Sequence, residues 1–143
     1  MADISNTDAN VRPLNGAIIR RGEAGGSGYV GDLVYLDGTN GWKQADGNAS
    51  QAAAMGRGIV VAQGSDGSTS FADGDEIDIV VLGPVEGFSG MTPGATVYGS
   101  ATAGAVADAA VAESGDDWDW IVGWAESATV LFVHPQTTVP SAT

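Results

Sequence analysis

Residues 118–133, WDWIVGWAESATVLFV, decide how the chain folds. Trp118, Trp120, Val122 and Trp124 occupy alternate positions, with Asp119, Ile121, Gly123 and Ala125 between them. A period of two lines up side chains on one face of a pleated strand, whereas a helix would scatter the same rings around its axis. Glu126, Ser127 and Ala128 interrupt the pattern, and residues 129–133 resume it with the types that strands favour. The expectation is a hairpin: a strand with its indoles on one face, then an all-apolar strand, Val130-Leu131-Phe132-Val133, buried on both faces beneath other strands. Trp120, Val122, Leu131 and Val133 are therefore assigned to the core.

The rest of the chain agrees with strands and turns. Of 143 residues, 22 are glycine, and Val, Ala and Thr outweigh Leu, Ile and Phe. Such a chain folds as short strands joined by tight turns, if it folds at all. The apolar runs at 17–19, 58–62, 77–82 and 121–133 argue that it does. The length fits one domain.

In order, strands are expected at 17–21, 31–36, 58–62, 76–82 and 94–99, with a tight turn at Asn40-Gly41 before Trp42. A short helix is expected within 46–54, capped by Asn48 or Ser50, with residues 52–55 as its body. Residues 64–74 and 84–93 read as irregular, and 100–115 as a bland acidic stretch. Residues 1–15 are polar, with isolated Ile4, Val11 and Leu14 and with Pro13 before the first strand. They read either as a disordered leader or as an arm that orders on a partner through Ile4, Val11, Arg12, Pro13 and Leu14. The body spans 16–135, and 136–143 form a C-terminal tail.

Sliding the chain by 63 positions pairs Glu23 with Glu86, Gly31 with Gly94, Val34 with Val97 and Tyr35 with Tyr98. Thr39, Gly41 and Ala62 meet Thr102, Gly104 and Ala125 in the same alignment. Two related units, about 17–64 and 80–127, follow, with Tyr35 and Tyr98 as matching core residues. Closing the two units on each other would hide strand edges that otherwise invite aggregation. The fold class is thus mainly β: a small barrel or sandwich of two related strand units, one short helix and a flexible N-terminal arm.

Charge narrows the function. The five bases (Arg12, Arg20, Arg21, Lys43, Arg57) lie in the first 57 residues beside six acids, and twelve acids with no Lys or Arg follow. A net charge of −13 repels phosphate backbones and anionic lipid, so neither nucleic acid nor a membrane is an expected partner. There is no cysteine, hence no disulfide and no thiolate chemistry. The first 16 residues lack the basic start and apolar centre of a signal peptide, and no apolar run approaches ~20 residues.

Catalytic signatures are missing. His134 is the single histidine and precedes Pro135 at a strand end, where a solvated residue is the plain reading and a carboxylate-completed zinc site the sharp one. No Gly-x-Ser-x-Gly elbow or phosphate-binding loop occurs. The carboxylates of Asp73, Asp75, Glu76 and Asp78, and those of Asp116, Asp117 and Asp119, suit hard cations in type but not in spacing, so solvated turns are expected. No cofactor, metal or enzymatic activity is expected.

The segments Gly31-Asp32-Leu33-Val34-Tyr35, the PGATVY of 93–98, and Trp120-Ile121-Val122-Gly123-Trp124-Ala125 resemble the small capsid cement, or decoration, proteins of tailed viruses. The resemblance covers about residues 15–134. It implies a barrel-like structural protein on the virion exterior, commonly a homotrimer, that binds the major capsid protein and braces it against internal pressure. It also turns the arm reading toward an extension able to add a strand to a neighbour's sheet, with avidity over the shell supplying hold. The competing expectation is a carbohydrate-binding or adhesive module using Trp42, Trp118, Trp120 and Trp124.

Overall fold

The computed structural model describes residues 3–39, 41–110 and 118–140. Strand makes up 46% and helix 5%, and the sheet curls strongly into half a barrel, so the chain is mainly β. The first strands are β1 (Ser5–Asn6), β2 (Arg12–Pro13), β3 (Ile18–Glu23), β4 (Gly28–Tyr29), β5 (Leu33–Asp37), β6 (Gly41–Gln44) and β7 (Gly58–Gln63). They are followed by β8 (Ser70–Phe71), β9 (Glu76–Glu86), β10 (Phe88–Ser89), β11 (Thr96–Gly99), β12 (Val106–Ala107), β13 (Ile121–Ala125) and β14 (Val130–Val133).

The spine is β9, 11 residues long. Its first part pairs with β3 and β7, and its last four residues pair with β14, with β2 also meeting Val85 and Glu86. Alternation holds toward its ends, where Ile77, Ile79, Gly83 and Val85 are buried on one face and Glu76 and Leu82 exposed on the other, while Val80 in the middle is buried on the second face. The strand passes through Pro84, where the sequence suggested irregular chain. Pro84 gives no N–H to the ladder, but its carbonyl accepts from the Leu14 N–H at 2.9 Å. Gly83, at φ +116°, adopts a conformation reserved for glycine, and a Cβ there would come within 2.7 Å of the Ala17 Cα.

Along the main path the strand order is β12-β11-β13-β14-β9-β7-β5-β6. Each half contains a hairpin (β5–β6, β11–β12) whose first strand pairs with a later strand (β7, β13), which in turn pairs with one further along the chain (β9, β14). Val34 and Val97 occupy corresponding places in β5 and β11. The halves meet where β14 joins the end of β9.

The helix α1 (Gln51–Ala54) begins as its sequence suggests, with the Ser50 hydroxyl accepting the Ala53 N–H at 3.0 Å. The core joins both halves and includes Leu33, Val34, Ile59, Val60, Ile79, Val97, Trp120, Val122, Leu131 and Val133. Trp120 is 1% exposed and donates its Nε1–H to the Gly56 carbonyl at 2.8 Å. Arg57 lies over the same ring, 5.5 Å from its centre. Tyr35 is half-buried and packs against the core. Tyr98 is also half-buried, paired opposite Ile121 and Ala107.

The N-terminal segment departs most from expectation. From residue 3 onward it lies along the body instead of extending from it. Ile4 donates to the Val106 carbonyl at 2.8 Å, β1 pairs with β10, Thr7 donates to Gly87 at 3.0 Å, and β2 pairs with β9. Ile4 and Val11 are 9% and 5% exposed and belong to the core. Two aliphatic anchors and a run of backbone bonds outweigh the tendency of a polar terminus to stay loose. The tail is held as well: Gln136 exchanges hydrogen bonds with Ile121, and the Pro140 carbonyl accepts from Gln51.

Candidate docking surface

The hairpin of β13 and β14 forms as the sequence implies, but its faces differ from the alternation. Residues 97 and 98 on β11 pair with Gly123 and Ile121, so Val122 is an extra residue opposite none. This bulge shifts the phase: Trp120 and Val122 point into the core, while Trp124 emerges on the outer face, 41% exposed. Gly123 makes the bulge possible, because a Cβ there would collide with the Phe132 carbonyl of the neighbouring strand. Strand β14 is consequently buried on one face only, through Leu131 and Val133, and Phe132 lies half-buried on the other.

Register places an apolar row across this outer face. Trp124 pairs with Phe132, and Phe132 with Pro84. The Trp124 and Phe132 rings stack with centroids 4.6 Å apart and planes 10° from parallel. His134 lies 5.6 Å from Trp124, two residues beyond Phe132. Leu82, two residues before Pro84, is exposed and pairs with the half-exposed Ile18. Large side chains scattered singly on a surface are ordinary, whereas a row registered across three strands and reaching a fourth is a candidate docking surface.

The expected anchors are distributed differently. Ile4 and Val11 are spent on the protein's own core, and Pro13 and Leu14 are half-buried along β9. Arg12 is exposed and forms an ion pair with Glu86. Sequence reasoning missed Phe132, Pro84 and Leu82; the one available signal was Gly123 inside a strand pattern, which marks a bulge.

The tryptophans do not assemble into a common platform. Trp42 packs over Gly22, whose missing side chain leaves room for the indole. Trp120 is core, Trp118 half-buried and Trp124 outward.

The acidic runs are held by local bonds. Asp75 accepts from Ala72 N at 2.8 Å and from Gln63 Nε2 at 3.3 Å, while Asp78 and Glu76 pair with Arg21 at 2.9 and 3.4 Å. Asp66 accepts from Ser68 and Gln63, and the Ser68 bonds hold its carboxyl below the usual range. Asp32 differs: burial pushes its carboxyl up, against hydrogen bonds from Gln44 Nε2 at 2.7 Å and Tyr29 N at 2.9 Å. Asp116 and Asp117, which open the second acidic cluster, lie outside the described residues. Among the described residues no three His, Cys, Asp or Glu side chains group as metal ligands, and no helix is long and apolar enough to cross a membrane.

No protein-family model and no curated protein matches the sequence.

Proposed function

We propose that the protein is a structural decoration protein that binds the exterior of an assembled viral capsid and stabilises it without catalysis. The observation that carries this reading is the apolar row of Trp124, Phe132, Pro84 and Leu82 on an otherwise acidic body. An acidic body stays dispersed until docking, and an aromatic strip supplies the desolvated centre that protein interfaces need. Repetition over a symmetric shell multiplies a modest single contact into firm retention. The partner is the major capsid protein, and the place of work is the virion exterior. Docking is assigned to the outer strand face, since Ile4 and Val11 of the N-terminal segment are occupied within the fold.

The test is co-sedimentation of the purified protein with undecorated capsids, followed by heating of the decorated and bare shells. Saturable binding and a higher disruption temperature are expected. Failure to bind, combined with quenching of Trp124 fluorescence by glycans, would replace this reading with the adhesive one.

A further inference from the structure

We infer that the outer edge of β3 is a strand-pairing site for a second copy of this chain, joined antiparallel about a two-fold axis near Ile19. The inference is independent of the capsid reading.

Both end strands of the main path are bridged by other chain segments. The last strand on one side, β12, is bridged by Asp3 and takes the Ile4 N–H. On the other side, β6 is bridged through Trp42 to Ala24, with Gly25 donating to the Trp42 carbonyl at 2.7 Å. Strand β3 pairs with β9 along one edge, and over Ile18–Arg21 its other edge meets no strand among the described residues. Those four residues are all exposed, Ile18 at 50% and Ile19 at 45%. An unpaired edge carrying aliphatic side chains is what folded proteins ordinarily cover or blunt.

Three observations select a second copy as the occupant. The first is the count of edges. A head-to-tail ring joined by strand pairing needs two different free edges of matching length per copy; the four-residue edge of β3 is matched by the same edge of a second copy, and pairing between like edges closes at two. The second is charge. Two bodies of net charge −13 repel each other, but along β2 and β3 the bases Arg12 and Arg21 are matched by Glu86, Glu76 and Asp78, and Arg20 adds a third base. With Glu23 at the end of β3, three bases stand against four acids, so this ridge carries little net charge for a body at −13 and the copies approach there with less repulsion. The third is register. With Ile19 opposite the second copy's Ile19, Ile18 faces Arg20 and Ala17 faces Arg21, so no like charges are directly opposed. The ladder stops at Arg21, because the Trp42 ring lies against Gly22 and Gly41 packs on the Glu23 carbonyl. A short ladder makes a weak, concentration-dependent dimer, which departs from the trimer that the family resemblance implies.

The test is sedimentation equilibrium from micromolar to millimolar protein at low and molar salt, with amide exchange of the same samples. A monomer–dimer equilibrium is expected, strengthened by salt that screens the acidic bodies, with slower exchange across residues 18–21 in the dimer. Ile19→Lys should raise the dimer dissociation constant at least about tenfold. Leu36→Lys, on the exposed side of β5, should leave it unchanged. A monomer at every concentration and salt, a trimer, or a dimer whose 18–21 amides stay unprotected would overturn the inference. The exchange measurement decides on the wild type even if Ile19→Lys misfolds.

Discussion

Trp124 and Phe132 lie on adjacent antiparallel strands, directly opposed in register, with rings stacked 4.6 Å apart on the outer face of the sheet. Neither ring is needed to fill the core, which Trp120, Val122, Leu131 and Val133 already occupy. Replacing Trp124 by Ala should therefore lower stability by about 2 kcal/mol, from the aromatic pair and the buried part of the indole, less than the ~3–5 kcal/mol of a core tryptophan. The same change should abolish co-sedimentation with shells. Circular dichroism and thermal melting would report the first effect, and the pelleting assay the second.

The bulge that turns Trp124 outward depends on Gly123. Gly123→Ala drives a methyl into the Phe132 backbone and should destabilise by about 3 kcal/mol. Gly38, with open space around it, provides the contrast: Gly38→Ala should change stability by no more than about 0.5 kcal/mol. Denaturant titration of the two variants checks both values.

The N-terminal segment is part of the fold, so its anchors belong to stability. Ile4→Ala should cost about 2–4 kcal/mol in chemical denaturation. Removing residues 1–14 should leave the body poorly folded, since Val11 and the strand pairs of β1 and β2 go with it. An unchanged denaturation midpoint after truncation would contradict this.

Two aspartates give opposite dependences on pH. Burial raises the Asp32 carboxyl in the folded chain, so the folded state holds that proton more tightly than the unfolded one. Stability from this group is present below the ordinary aspartate value and is lost as pH rises through the raised folded value. Asp66 is depressed, so its contribution is present above the ordinary value and is lost as pH falls through the lowered one. Melting Asp32→Asn across pH should reveal a smaller loss of stability on leaving acid. Asp66→Asn should instead remove part of the gain that accompanies its ionisation.

Much of this architecture was legible in the sequence, for identifiable reasons. The β13–β14 hairpin followed from alternation and the Glu126-Ser127-Ala128 break, and α1 from a serine ahead of an alanine run. What escaped was set by tertiary contacts. Simple alternation places Trp124 beside Trp120, and only the pairing with β11 reveals Val122 as surplus. Pro84 seemed to end a strand because a proline cannot know, locally, that its carbonyl will be wanted by Leu14. Ile4 and Val11 are too sparse to form a pattern of their own, so their burial depends on grooves built by residues far along the chain.

The most direct measurement is a reconstruction by electron cryo-microscopy of shells saturated with the protein. The expected result is ordered density on the capsid exterior with Trp124, Phe132, Pro84 and Leu82 turned toward the shell. Ordered density with that row facing solvent, or shells that remain bare at saturating protein, would contradict it.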